Sequence, residues 1–164
     1  MRALAVALAL VAGFWLVGAA NPPAPPVLQG DRLGPEDGET IQQYAQRAAG
    51  TLDHEEASFA LVTFARPLGP DEAAAALAPA PRVSALVVPG EAPVVVPEAS
   101  IGTMRIDVLR SATTSPIAGA VVFAPRTQLE QMNATDTVFA VEMLPADAVW
   151  GAFSITTSAT RGGV

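Results

Sequence analysis

The chain has 164 residues, a net charge of −7 and no cysteine. An acidic, dispersed charge argues against nucleic acid, whose binding wants a basic face, and offers no polybasic hold on anionic lipid heads. Without thiols there are no disulfides, no thiolate catalysis and no cysteine-based metal sites. An exported domain of this kind is held together by packing alone.

The first predicted element is the apolar run Ala3 to Ala20 behind Arg2. As a helix rising ~1.5 Å per residue it covers about 27 Å, close to the ~30 Å hydrocarbon core of a bilayer. In lipid a helix satisfies its own backbone. Cationic flanks stay cytoplasmic, so residues 1–20 read as a transmembrane anchor, N-terminus inside and the body of the chain outside. A cleaved signal is the competing reading, with Gly18 and Ala20 as small residues before a cut at Asn21. A buried core helix is the third, and the lack of a polar face argues against it. Either of the first two places everything downstream beyond the cytoplasm.

Asn21-Pro22-Pro23-Ala24-Pro25-Pro26 cannot continue a helix, because proline lacks the N–H and clashes with the preceding turn. Residues 21–38 therefore read as a Pro-rich linker. Thr40-Ile41-Gln42-Gln43 fits a capping box. It opens an amphipathic helix with Ile41, Tyr44, Ala45, Ala48 and Leu52 on one stripe, fraying by Glu56. Phe59 to Ala65 is apolar on both faces, which predicts a central strand. Pro70-Asp71-Glu72 starts a short helix, with proline at the first position and acids at the positive end of the dipole. Ala73, Ala76 and Leu77 form its inner side. Arg82 to Val88 is a second strand, residues 89–97 a Pro/Val loop, and Ile101 to Ala112 a further helix with Ile101, Met104, Val108 and Leu109 inward. Ile117 to Phe123 is a third strand. Thr127-Gln128-Leu129-Glu130 is a second capping box, and Thr137 to Leu144 a fourth strand. Residues 156–164 read as a flexible tail.

Two segments echo each other. Val62-Thr63-Phe64-Ala65-Arg66-Pro67 leads through a short helix to Leu86-Val87-Val88-Pro89-Gly90-Glu91. Val121-Val122-Phe123-Ala124-Pro125-Arg126 leads through a short helix to Leu144-Pro145-Ala146-Asp147. Two β-α-β units in series predict an α+β domain over residues 39–155, built as a ferredoxin-like plait and preceded by the transmembrane and amphipathic helices. A different α+β arrangement of the same elements is the alternative.

Reactive constellations are not evident. His54 is the one histidine, adjacent helical residues diverge, and His54-Glu55-Glu56 is expected to be a solvated helix end. Glu142 interrupts an apolar strand, and its expected place is a water-facing position on an edge strand. Trp150 and Phe153 read as closing a core, with an exposed docking patch as the other possibility. No catalytic, cofactor-binding or metal residue is assigned.

Ser58-Phe59-Ala60-Leu61-Val62-Thr63-Phe64, Pro70-Asp71-Glu72-Ala73-Ala74-Ala75 and Leu144-Pro145-Ala146-Asp147-Ala148-Val149-Trp150 together resemble uncharacterised membrane-anchored proteins of high-GC Gram-positive bacteria. The resemblance spans residues 40–150 and implies a small extracytoplasmic domain behind one anchor, with no activity attached. The expectation is a non-enzymatic, single-pass interaction module. Its partners are the lipid bilayer through the N-terminal helix, and an envelope protein or a second copy of itself. No cofactor and no nucleic acid are expected. A small-ligand sensor and a small exported hydrolase using His54 are the alternatives.

Overall fold

The computed structural model describes residues 30–97 and 102–156. The predicted anchor or signal at residues 1–20, most of the Pro-rich linker and the tail beyond residue 156 lie outside them. No helix among the described residues is long and apolar enough to cross a membrane.

The domain is α+β. Its centre is a five-stranded antiparallel sheet formed by β2 (Ser58–Leu68), β3 (Arg82–Val87), β4 (Val94–Val95), β5 (Ile117–Ala124) and β6 (Val138–Met143), in the order β4-β3-β5-β2-β6. β2 lies between β5 and β6, as its two apolar faces require. Its alternation sorts the core into two layers. Ala60, Val62 and Phe64 point to one face, and Phe59 and Leu61 to the other.

The first face is covered by three helices: α2 (Pro70–Ala76), α3 (Arg105–Ala112) and α4 (Arg126–Asn133). They contribute Ala73, Leu109, Leu129 and Met132 to the larger core, and Leu77 follows at the end of α2. α2 begins as expected, with Pro70 in the first turn beside Asp71 and Glu72. α3 runs antiparallel to α2. Its N-terminal Arg105 meets the carbonyls that close α2, and its C-terminal Arg110 meets Asp71 at the start of α2. β4 and α3 are inserted between the two strand-helix-strand units, so the Pro/Val loop holds a strand that the sequence pattern did not show.

The second face is covered by chain on either side of the sheet in sequence. β1 (Arg32–Leu33) and β7 (Ser154–Ile155) pair in parallel. Leu33, Leu144 and Phe153 pack there against Phe59, Leu61, Ala85, Val87 and Val121. The stretch 30–38 thus does more than link: Leu33 is completely buried. Gly34 has φ +105, and a Cβ there would run into the Thr156 carbonyl. Only glycine allows β1 to lie this close to the C-terminal strand. Phe59 sits 5.0 Å from Phe123 and 5.4 Å from both Trp150 and Phe153 between ring centroids. Trp150 and Phe153 therefore close the core, the first of the two expectations for them.

α1 (Ile41–Ala49) packs on this second face against β6, through Tyr44, Ala48 and Ala140. Its capping box forms as predicted: the Gln43 N–H donates to Thr40 Oγ1 and the Thr40 N–H to Gln43 Oε1. It ends earlier than predicted, at Ala49 with Gly50 as its cap. The second predicted box does not form. α4 starts at Arg126 on Pro125, and Glu130 turns back to Arg126 Nε at 2.7 Å instead of reaching a cap. An i,i+4 ion pair competes for the same carboxylate, and here it wins. In α3, Leu109 is buried as predicted, but Met104 lies before the helix and is 65% exposed.

Candidate functional site

Charge gathers first at the β6 edge. Glu142 is 3% exposed, against the expectation of a water-facing side chain, although β6 is an edge strand as anticipated. A buried carboxylate persists only when paired and hydrogen-bonded. Glu142 accepts the Gly34 N–H at 2.6 Å and an N–H of the Arg47 guanidinium. Arg47 also donates to Glu39 at 2.9 and 3.0 Å and to the Gly34 carbonyl at 2.9 Å. These contacts, led by Glu39, push the Arg47 pKa further up, and the same ion pair holds Glu39 below the usual carboxylate range. Tyr44 donates to or accepts from Thr63 Oγ1 at 3.1 Å, and burial pushes its phenol up. The whole cluster works as a clasp between residues 34–39, α1 and β6. Its polar atoms are turned toward one another.

His54 is not on a helix. It lies in the loop between α1 and β2, with Nε2 3.0 Å from the Leu144 carbonyl, so that nitrogen carries the proton. Nδ1 is buried without a hydrogen-bond partner and lies 3.7 Å from Glu56. The loop histidine is thus largely buried, with a 20% exposed side chain, where a solvated helix end was expected. The nearby Ser58 hydroxyl donates to the Pro145 carbonyl at 2.8 Å. Both groups pin the 144–145 turn to the start of β2.

The opposite edge is different. Along α3 run two adjoining hollows that share Pro97 and Val108. One, of about 250 Å³, lies between α3 and the start of β3 and includes Arg82, Val83, Val96, Arg105 and Leu109 in its wall. The other, of about 500 Å³, opens between β4 and α3 over Val94, Val95, Ala112, Asp107 and Ser111. Val95 in this wall is 65% exposed, as is Met104 just before α3.

Arg105 lines the first of these hollows. Its guanidinium donates to the Leu77 and Ala80 carbonyls, which follow the last turn of α2. A cation there suits the negative end of the helix dipole. Burial holds its pKa below the usual arginine value. Sequence pattern did not single out Arg105, and it turned Arg47 to water on the polar side of the helix, where the structure turns it onto the buried Glu142. Arg47 had a usable signal: a carboxylate inside an apolar strand needs a cation, and Arg47 follows Tyr44 by three residues on α1. Arg105 had none, since its partners are backbone carbonyls. Compared with family models, curated proteins and solved structures, the chain matches none.

Proposed function

We propose that the chain is a non-enzymatic, single-pass membrane-anchored module that works outside the cytoplasm. It docks a partner, an envelope protein or a second copy of itself, on the β4 edge. One observation carries the docking surface: Val95, on the edge strand β4, is 65% exposed in the wall of a largely apolar groove, and Met104 at the start of α3 is as exposed. Exposed apolar side chains beside a groove suit an interaction site, and an uncovered edge strand invites another chain. The polar side chains support a non-catalytic role, because Glu142, Arg47 and Ser58 are committed to internal hydrogen bonds. The anchor rests on the apolar run Ala3 to Ala20, with secretion after cleavage before Asn21 as the other outcome. The likeness to anchored proteins of high-GC Gram-positive bacteria points the same way. For the fold, the order β3-β5-β2-β6 with antiparallel neighbours supports the ferredoxin-like plait.

Two measurements test the proposal. The absence of native cysteine allows a single Val149→Cys reporter at an exposed position. A membrane-impermeant maleimide should label it on intact cells, and labelling only after lysis would overturn the orientation. Sedimentation of the full-length protein in detergent, with and without Val95→Asp and Met104→Asp, tests docking. Self-association lost in the variants supports a second copy as partner. A monomer that also captures no envelope protein on cross-linking in cells would defeat the module.

A further inference from the structure

We infer that the hollow between α3 and the start of β3 binds a small apolar carboxylate, with Arg105 meeting the charge. The inference is separate from docking on the β4 edge, and either can fail alone. The hollow measures about 250 Å³, just under the ~300–1,000 Å³ usual for ligand pockets, so its occupant has few heavy atoms. Among the described residues its wall is apolar except for Arg82 and Arg105. Arg82 makes an interaction of its own, so the inference rests on Arg105.

Arg47, Arg66, Arg110 and Arg126 each meet a carboxylate. Arg105 meets two backbone carbonyls instead. Those contacts fix the plane of the guanidinium without neutralising it. They use two of its five N–H groups, and the rest are available to a bidentate acceptor of the kind arginine favours. A half-buried cation pays a desolvation cost that an entering anion offsets. Val83, Val96 and Val108 supply the apolar contact for the rest of the ligand.

The probe is hexanoate, titrated calorimetrically into the full-length protein in nanodiscs, with empty nanodiscs as blank and hexanamide as the uncharged match. Saturable one-site binding of hexanoate, at least tenfold tighter than hexanamide, is the expected result. Arg105→Gln should weaken hexanoate at least tenfold, whereas Val108→Trp, which fills the hollow and leaves Arg105 in place, should abolish binding. Each variant's thermal transition shows whether it has folded. If neither folds, the comparison of acid and amide on the unaltered protein still decides. Equal binding of the two probes, no saturation, or unchanged binding in a folded Val108→Trp variant would overturn the inference.

Discussion

The two edges of the central sheet are built on opposite terms. At β6 the edge is closed. α1 packs on β6, Thr51 Oγ1 accepts the Met143 N–H at 2.7 Å, and Arg47 and the Gly34 N–H between them meet both oxygens of the buried Glu142. At β4 the edge is a two-residue strand with Val95 turned to solvent, and the half-buried Arg105 nearby meets only carbonyls. One edge places its polar groups inward, in service of stability. The other presents apolar surface and a cation with no carboxylate partner, the features on which the proposed binding rests. An unpaired edge is a hazard that folded proteins usually blunt. Here one edge is blunted by a charge cluster, and the other is kept short instead.

That contrast can be broken most severely at the clasp. Arg47→Ala leaves Glu142 buried without its cation, and the expected loss is about 3 kcal/mol of unfolding free energy. This is the low end for such a change, because Arg47 itself is 32% exposed. Urea unfolding measures it, and a loss under about 1 kcal/mol would reduce the clasp to an ordinary surface pair. Thr40→Ala removes the cap of the same helix and should cost about 1 kcal/mol, read in the same assay.

Acid should loosen the molecule more gently. Glu39, Asp71 and Glu72 are held below the usual carboxylate range by Arg47, Arg110 and Arg66 respectively. Their contribution is complete above the unfolded values of about 3.9–4.3. It is lost as pH falls through the lower folded values, since the unfolded chain then binds more protons. The urea midpoint should therefore drop below about pH 4, and Glu39→Gln should flatten the drop. At the open edge, Val95→Asp should change stability by no more than about 0.5 kcal/mol while abolishing association. A large stability loss there would mean that the β4 edge is core after all.

Much of this architecture is legible from pattern. The two-sided apolar run of β2, the Thr40 capping box and Pro70 at the start of α2 all follow from local rules that the fold obeys. The echo between the halves predicts the strand-helix-strand order on either side of β4 and α3. What escaped was set by tertiary contact. β1 is two residues in a Gly- and Pro-rich stretch, and only its pairing with β7 makes it a strand. Glu142 looks solvent-facing by alternation until Arg47, 95 positions earlier in the chain, is brought beside it. His54 looks helical until Gly50 ends α1 and the Leu144 carbonyl accepts the Nε2–H. The groove on the β4 edge depends on the inserted α3, whose hydrophobic spacing placed Met104 inside when it is exposed.

Site-specific photo-cross-linking in intact cells compares the edges directly. A photoreactive residue is placed singly at Val95 on β4 and at Phe139 on β6, which is 36% exposed. Discrete adducts from position 95 and none from position 139 are expected. Adducts confined to position 139 would contradict the assignment of binding to the open edge.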